Sequence, residues 1–212
     1  MPAAAGALLL WLGWWIAGGA LLALAVFVLF FFRDPERKIP DSPGAIVSPA
    51  DGWVLSVGET ELNGTKQARI SIFLSLFDVH VNRAPIAGCI TAAEYRRGKF
   101  LVASRDRASS ENEQNEITMN GEGTVVVFRQ IAGVLARRIE FWKKPGDTLA
   151  RGERVGMIRF GSRVEVFFES RFRARVKPGD HVRGGSSILA QRDRWKSRTT
   201  KSSAASTCCR PC

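Results

Sequence analysis

Apolar residues dominate the first 32 positions of the chain, where no charged side chain occurs. A bilayer core requires about 20 consecutive apolar residues in a helix, so residues 3–32 are long enough to cross one. We predict an N-terminal hydrophobic helix or helical hairpin over residues 1–32, and its glycines leave a re-entrant hairpin open. A cleaved signal peptide fits less well, because no basic residue precedes the apolar run, which also continues past the candidate cleavage site at Ala23 and Ala25.

The rest of the chain shows short alternating runs and turn residues, which are typical of β-strands. Strand-like runs occupy residues 45–47, 53–57, 69–77, 124–128 and 163–168. The proline-containing segment 33–44 is a short linker, and the polar segment 104–115 is predicted to be a long loop. Weak helical periodicity is confined to residues 92–100. We therefore predict a mostly β domain over residues 33–191, with a sandwich or barrel-like architecture.

One turn motif occurs twice, as Lys-Pro-Gly-Asp-Thr-Leu-Ala-Arg-Gly at 144–152 and as Lys-Pro-Gly-Asp-His-Val-Arg-Gly-Gly at 177–185. Pro-Gly-Asp followed by an apolar residue and glycine indicates a tight turn, a strand and a second turn. The region resembles the hairpin repeat of lipoyl- and biotinyl-type domains, but no lysine lies at a hairpin tip as a modified carrier needs. We interpret the repeat as architecture and its His181 as a turn residue.

The net charge of the chain indicates what kind of partner it binds. The polar part of the chain carries all 31 Lys and Arg against 20 Asp and Glu, which gives a net charge of +11. Such a balance favours anionic partners, and the apolar N-terminus favours a membrane surface over nucleic acid. Basic residues at 33, 37 and 38 follow the apolar segment, which places the domain on the cytoplasmic face of the cell membrane.

The last segment, residues 192–212, is basic and rich in Ser and Thr, and we predict that it is disordered. Cys208, Cys209 and Cys212 crowd its end. They could bind metal or carry a lipid, but no histidine lies nearby to complete a metal site. We favour incidental thiols in a frayed tail and predict no metal.

A Gly161-Ser162 pair lies between two strand-like runs. In a tight turn the Ser162 hydroxyl can face the Gly161 carbonyl, since glycine permits the strained backbone that this approach requires. Attack on the carbonyl would give an ester, and β-elimination would then free the Gly161 carboxylate and leave dehydroalanine. Hydrolysis of dehydroalanine yields a pyruvoyl group and ammonia. Gly-Ser alone is far more often a simple turn, so this chemistry needs support from the rest of the chain.

That support comes from motifs that resemble, in order, those of short-form phosphatidylserine decarboxylase proenzymes. They are Phe-Phe-Arg-Asp-Pro-Glu-Arg at 31–37, Ser-Pro-Ala-Asp-Gly at 48–52, a segment with Asp-Val-His-Val-Asn-Arg at 73–85, Gly-Lys-Phe-Leu-Val-Ala-Ser at 98–104, Glu-Asn-Glu-Gln-Asn-Glu at 111–116 and Arg-Phe-Gly-Ser-Arg at 159–163. The resemblance covers residues 31–190. It implies self-cleavage after Gly161 into a β chain, 1–161, and an α chain, 162–212.

The resemblance also implies roles for single residues. Ser162 becomes the covalent pyruvoyl group, a built-in pyruvate cofactor, and Gly161 becomes a new carboxyl terminus. Asp51 matches the acidic residue that supports self-cleavage, and His80 matches a histidine that donates and accepts protons near the pyruvoyl group. Arg83 stands where longer family members have a second histidine, so the base for self-cleavage is open between His80 and a strained turn assisted by Asp51.

The implied activity is that of a pyruvoyl-dependent carboxy-lyase, which converts phosphatidylserine to phosphatidylethanolamine and CO2. The substrate amine forms a Schiff base with the pyruvoyl ketone, which accepts the electrons released as CO2 departs. Arg83 and Lys99 are candidates for holding the substrate phosphate or carboxylate. The implied partners are phosphatidylserine, membrane lipids and the chain's own two halves as a heterodimer, open to further dimerisation, with no nucleic acid.

Two other classes compete with this interpretation. A non-enzymatic membrane adaptor built on a biotinyl-type sandwich would suit the apolar segment, the repeat and the basic charge. It gives no reason, however, for the motifs around Asp51, His80 and Gly161. A zinc peptidase is a poorer alternative, because the two histidines of the chain are far apart and show no ligand spacing.

Overall fold

The computed structural model of the chain describes residues 2–11, 13–62, 64–105, 107–134, 138–159 and 161–192. It separates into two compact units, Met1–Pro35 and Glu36–Cys212. The cysteine-rich end and the rest of the predicted tail lie outside the described residues, apart from Arg192. That residue is not part of a tail: it ends a strand, and its guanidinium donates a hydrogen bond of 3.0 Å to the carbonyl of Glu122.

The first unit is a pair of apolar helices, α1 (Pro2–Trp11) and α2 (Trp15–Phe31). Gly13 between them has a φ of 81°, a left-handed conformation that glycine adopts readily. The helices approach closely at Gly6, where a β-carbon would lie 3.1 Å from the Gly18 carbonyl oxygen and from the Leu22 side chain. No helix within the described ranges combines the length and the hydropathy that crossing a membrane requires.

The second unit is mostly β-structure, as the strand-like runs predict. Its strands are β1 (Ala45–Val47), β2 (Gly52–Leu62), β3 (Thr65–Leu74), β4 (Val81–Arg83), β5 (Gly88–Arg96), β6 (Gln114–Gly121), β7 (Thr124–Ile131), β8 (Ile139–Phe141), β9 (Thr148–Leu149), β10 (Arg154–Ile158), β11 (Ser162–Glu169), β12 (Phe172–Ala174), β13 (His181–Val182) and β14 (Ile188–Arg192). One short helix, α3 (Ala108–Glu111), interrupts the predicted loop 104–115.

The weak helical periodicity at 92–100 was misleading, because the first part of that segment belongs to β5. This strand pairs with β6 on one side and with β9 on the other, and a bulge between Ile90 and Ala92 shifts its side-chain alternation. Cross-strand pairing with two neighbours outweighs a weak local pattern, since β-structure is decided by the surrounding sheet more than by intrinsic preference.

The strands form one large and two small sheets, and every pair of named strands is antiparallel. Eight strands in the order β13-β2-β3-β11-β7-β6-β5-β9 make a sheet that curls into a half-barrel. The small sheets have the orders β1-β14-β12 and β4-β10-β8. The main apolar core includes Ile70, Ile72, Phe128, Val166 and Phe168, all completely buried.

Strand β11 lies near the middle of the large sheet and is buried on both faces, apart from its last residue. Because successive side chains of a strand point to opposite faces, Val164 and Val166 share one face and Arg163 and Glu165 share the other. The strand therefore carries two buried charged residues within three positions of Ser162. A strand paired on both sides along most of its length gives Ser162 a rigid support.

The two copies of the turn motif have the same structure, which confirms the predicted turns. In each, the aspartate side chain caps the turn by accepting the lysine backbone N–H, at 3.0 Å for Asp147 and Lys144 and at 2.9 Å for Asp180 and Lys177. The glycines between them have φ values of 96° and 91° and donate to the carbonyls of two strands, β5 and β2.

The structural repeat is longer than the sequence shows. The N–H of Val47 donates to the carbonyl of Pro85 at 2.9 Å, and the N–H of Arg83 donates to the carbonyl of Pro49 at 2.8 Å. These reciprocal bonds relate the segments 45–54 and 81–90 as two equivalent arms. One arm pairs with the turn motif at 177–185 and the other with the motif at 144–152.

Candidate active site

The predicted cleavage turn depends on glycine, as the Gly161-Ser162 sequence suggested. Gly161 has a φ of 61°, in the left-handed region that other residues rarely adopt. Ser162 begins β11, opposite Leu74 of β3, and is fully buried. Phe160, which precedes the pair in the cleavage motif, lies outside the described residues.

The Ser162 hydroxyl has no hydrogen-bond partner in the described part of the chain. Burying a hydroxyl group without a partner costs about 1–3 kcal/mol. Native folds rarely tolerate such groups, and a catalytic role is one of the few explanations for them. Ser162 directly follows Gly161 in the chain, and no hydrogen bond to a described residue holds its hydroxyl.

Gly133 is a component of this turn that the sequence prediction missed. It follows β7, and a β-carbon on it would overlap the carbonyl oxygen of Gly161. The Gly161 carbonyl, at the predicted cleavage site, thus rests against a bare α-carbon, a position that only glycine fits. The signal was present, because an isolated glycine at the end of an apolar strand-like run often marks a close backbone approach.

His80 lies between β3 and β4 with 1% of its surface exposed. Its Nδ1 is 2.9 Å from the carbonyl oxygen of Asp78. A carbonyl can only accept, so Nδ1 carries the proton in the neutral ring and Nε2 is the basic nitrogen. The carbonyl of His80 accepts the N–H of Ile158, at 3.3 Å, on the strand that leads into the predicted cleavage turn.

A small apolar cluster joins the segments that carry the site. Three members adjoin predicted or newly found site residues: those preceding Asp51 and Gly133, and the β3 partner of Ser162. The cluster consists of Ala50, Leu74, Ala132, Ile158 and Val164. Segments far apart in the chain are thereby packed into one region, and the cluster members are completely buried, which excludes water from this region.

Asp51 is 6% exposed, and both oxygens of its carboxylate are engaged. Oδ2 is 2.6 Å from Nη2 of Arg37, and Oδ1 accepts the backbone N–H of Gly184 at 2.7 Å. The described hydrogen bonds of Asp51 thus lead to these two groups and not to Ser162 or His80. Its role in self-cleavage stays a prediction, and the pair with Arg37 links two of the motifs found in the sequence.

Asp78 anchors the segment that carries His80. Its Oδ2 accepts the N–H and the hydroxyl of Ser75, at 2.8 and 2.7 Å, and its Oδ1 is 2.9 Å from Nε2 of His181. Burial by itself would raise the pKa of Asp78, but the hydrogen bonds from His181 and Ser75 outweigh it and hold that pKa below its ordinary value. His181 is therefore more than the turn residue that the sequence suggested.

The two candidate substrate-binding residues lie in different surroundings. Arg83 is 6% exposed, donates to the carbonyl of Gly152 at 3.2 Å and lines a cavity of about 480 Å³. The other basic residues of that cavity are Arg37, Lys143, Arg151 and Arg154. Lys99 is exposed, does not line this cavity, and pairs with Glu111 at 3.0 Å. Both roles stay predictions, and the surroundings of Arg83 suit an anion better.

Behind Ser162, the other face of β11 holds a buried ionic cluster that the sequence did not reveal. Nε of Arg163 is 3.2 Å from Oε1 of Glu165 and donates to the hydroxyl of Ser71 at 2.5 Å. The hydroxyl of Ser109 donates to the same carboxylate at 2.8 Å. Arg129 lies 3.7 Å from its other oxygen. This cluster fixes β11 from the face opposite the apolar core.

Within the residues that the structure describes, no group of three or more His, Cys, Asp or Glu side chains is arranged to hold a metal ion. The predicted cleavage turn carries the Ser162 hydroxyl and is packed against the backbone of Gly133 and apolar side chains. This composition suits chemistry on the chain's own peptide bond.

Comparison with known proteins agrees with the motifs. A family model described as phosphatidylserine decarboxylase matches residues 24–190. The phosphatidylserine decarboxylase proenzyme of Solibacter usitatus (strain Ellin6076) is 53% identical over 190 residues, which cover 89% of this chain and 90% of that protein. Those of Symbiobacterium thermophilum and Ruegeria pomeroyi are each 46% identical, over 84% and 88% of this chain and 84% and 89% of their own lengths. The chain therefore belongs to the phosphatidylserine decarboxylase family, as the ordered motifs from residue 31 to residue 190 predicted.

Proposed function

We propose that this protein decarboxylates phosphatidylserine to phosphatidylethanolamine and CO2, with a pyruvoyl group that it makes from Ser162 by cutting its own chain after Gly161. Family membership supports the activity. The observation that carries the proposal is the buried Ser162 hydroxyl, which has no partner among the described residues and follows a glycine in the left-handed region.

Self-cleavage uses only groups of the chain and one water molecule. The Ser162 oxygen bonds to the Gly161 carbonyl carbon, and the peptide C–N bond breaks, which gives an ester and a free amine. A base removes the α-proton of Ser162, and the Gly161 carboxylate departs. Water then replaces the nitrogen, which leaves as ammonia. The tight position of the Gly161 carbonyl against Gly133 favours this reaction, because a fixed carbonyl needs no reorientation before attack.

The surroundings of Ser162 fit the group that it would become. Its hydroxyl makes no hydrogen bond within the described residues, so losing it breaks none. When present, a pyruvoyl group supplies an electron sink for the loss of CO2. The chain contributes a rigid strand, apolar walls that exclude water, and His80, whose Nε2 is the nitrogen that can take up and return a proton.

The apolar helices support an association with membrane lipids. They contain no charged residue, and they expose Trp11, Trp15 and Ile16, with 82%, 71% and 92% of their surfaces accessible. Large exposed apolar side chains are typical of a surface that is covered by a partner. The basic residues that follow favour an anionic bilayer on the cytoplasmic side. The active protein would be a heterodimer of its β and α chains.

A non-enzymatic adaptor explains the exposed apolar helices and the repeat but not the buried hydroxyl of Ser162. The likeness of the repeat to lipoyl- and biotinyl-type hairpins stays a prediction, and it is equally compatible with the enzyme. No contact in the described structure favours the adaptor.

Intact-protein mass spectrometry of the purified protein and of Ser162→Ala tests the proposal. Two fragments that meet at 161/162, with the smaller one blocked by a pyruvoyl group, are expected for the wild type and absent from the variant. The cleaved protein should then release CO2 from phosphatidylserine in mixed micelles. A single uncut chain from folded wild-type protein would refute the enzyme and favour the adaptor.

A further inference from the structure

We infer that His181 is a positioning residue for this active site, which acts through Asp78 on the orientation and the tautomer of His80. The inference rests on the proposed function, because His80 has its proton-transfer role there. It concerns a residue whose sequence context suggested only a turn.

Asp78 is the link between the two histidines. Its side chain reaches His181, with 2.9 Å between Oδ1 and Nε2, while its backbone carbonyl accepts Nδ1–H of His80 at the same distance. A displacement of Asp78 would therefore move the group that decides which nitrogen of His80 carries the proton. Asp78 is 7% exposed and fixed at Oδ2 by Ser75, so His181 supplies the second of its two anchors.

His181 is itself held in two ways. It belongs to β13, which pairs with β2 so that His181 lies opposite Trp53. The two rings are in contact edge to face, with centroids 5.0 Å apart and an interplanar angle of 73°. A ring oriented by a strand and by an aromatic neighbour presents Nε2 to Asp78 in one direction, as a positioning residue must.

The asymmetry of the repeat supports this role independently. In the equivalent arm, Thr148 occupies the place of His181, and Ala87 occupies the place of Asp51. The 177–185 copy contacts Asp78 through His181 and Asp51 through the N–H of Gly184, whereas the contact of the 144–152 copy with a predicted site residue is the bond from Arg83 to the carbonyl of Gly152. At the position that contacts Asp78, the 177–185 copy therefore has a histidine and the 144–152 copy has a threonine.

The pair also crosses the cleavage point. Asp78 would belong to the β chain and His181 to the α chain, so their contact would tie the histidine segment to the half that carries the pyruvoyl group. A connection of this kind keeps His80 in register with residue 162 after the peptide bond between the halves is lost.

The first test measures the tautomer directly. The chain has two histidines, so His181→Thr leaves His80 as its one imidazole. Nuclear magnetic resonance of protein labelled with ¹⁵N-histidine, at a pH where the ring is neutral, reports which nitrogen is protonated. We expect protonated Nδ1 in the wild type and a mixture of both tautomers in His181→Thr. In His181→Gln, an amide N–H can still reach Asp78, and the wild-type tautomer should return.

The second test measures decarboxylation of phosphatidylserine by the same proteins. His181→Thr should lower kcat about tenfold with less than about a twofold change in KM, because only the proton-transfer geometry changes. His181→Gln should restore kcat. Thr148→Ala, at the equivalent position of the other copy, is the matched control and should behave like wild type.

A kcat of His181→Thr near that of the wild type, or an unchanged His80 tautomer, would overturn the inference. A folded His181→Gln variant that does not restore both the wild-type kcat and the wild-type tautomer would also overturn it. If His181→Thr does not fold, His181→Ala replaces it. If the variant folds but does not self-cleave, the tautomer is measured in the uncut protein. An inactive, uncut wild type would instead refute the proposed function, and the tautomer measurement would still decide the contact.

Discussion

The carbonyl oxygen of Gly161 lies against the α-carbon of Gly133, so closely that a side chain on residue 133 has no space. The two residues come together because β7 and β11 are neighbours, with Ile131 opposite Arg163. The peptide bond that the protein is proposed to cut is thus shaped by a second glycine on the adjacent strand. Close packing on the carbonyl restricts where the Ser162 hydroxyl can meet it.

Replacing that second glycine should impair self-cleavage. In Gly133→Ala the new methyl group displaces the Gly161 carbonyl, so we expect slower cleavage and a free energy of unfolding lower by about 1–3 kcal/mol. Mass spectrometry of the cleaved fraction over time measures the first effect. Gly58→Ala is the control, because a β-carbon at Gly58 meets nothing within 4 Å. Equal cleavage rates for the two variants would contradict the prediction.

The pair of Arg37 and Asp51 should matter for stability. Their side chains are only 11% and 9% exposed, and the charged atoms are 2.6 Å apart. Arg37→Leu leaves a buried carboxylate without its cation, and we expect a loss of about 3 kcal/mol in the free energy of unfolding. Urea unfolding in the uncut Ser162→Ala background measures it without interference from cleavage.

Arg154→Leu is the matched control for this pair. Its partner Glu36 is 94% exposed, so breaking that ion pair should cost less than about 1 kcal/mol. If Arg37→Leu and Arg154→Leu lower the free energy of unfolding equally, burial of the Arg37–Asp51 pair adds nothing to the stability of the protein. In the cleavable background, a normal cleavage rate for Arg37→Leu would count against a role of the oriented Asp51 carboxylate.

His80 should be needed for decarboxylation. His80→Gln keeps a similar size but cannot transfer a proton at neutral pH, so we expect kcat to fall roughly 100-fold or more. The rate is expressed per cleaved molecule, with the cleaved fraction taken from mass spectrometry. If the uncut chain accumulates as well, His80 is also the base in self-cleavage. A kcat per cleaved molecule equal to that of the wild type would exclude the proposed role.

Acid should destabilise the protein partly through Asp78. Its pKa in the folded state lies below the ordinary value, so folding favours the ionised form. The resulting stabilisation is complete above the unfolded-state pKa of about 3.9 and is lost as the pH falls through the lower folded-state pKa. Between pH 6 and pH 3, the Ser162→Ala protein should therefore lose more stability than the same protein with Asp78→Asn.

Urea unfolding at each pH checks this difference. The pKa values of Glu111 and Glu153 are also lowered. Both residues are present in the two proteins, so their contributions to the pH dependence of stability cancel in the comparison. Parallel stability curves would show that the hydrogen bonds from His181 and Ser75 do not favour the charged form of Asp78.

Local chemistry made much of the structure predictable. The strand at 45–47 and both Pro-Gly-Asp turns were found from residues that are neighbours in the chain. The left-handed Gly161 belongs with them, because turn geometry depends on the allowed φ of one residue. The order of the motifs also identified the family, since each motif is a continuous segment.

Other features depend on which strands become neighbours. The sequence shows Arg163 and Glu165 as ordinary charges on a strand, yet β11 pairs on both sides and Arg105 and Ser109 pack over the face that carries both charges, which are buried together. The helical periodicity at 92–100 was overridden by the same kind of pairing. Hydrophobic alternation predicts which face of a strand is apolar, but not what lies across from it.

By itself, therefore, the sequence determined the apolar N-terminal segment, the mostly β domain, the glycine-dependent turn at Gly161 and the family. Only the tertiary structure decided that Gly133 supports the Gly161 carbonyl, that Arg37 and Gly184 hold Asp51, and that His181 reaches Asp78. The reason is physical: turns and strands are set by short-range sterics and side-chain pattern. Contacts between distant residues are set by the register and curvature of the whole sheet, which no local segment encodes.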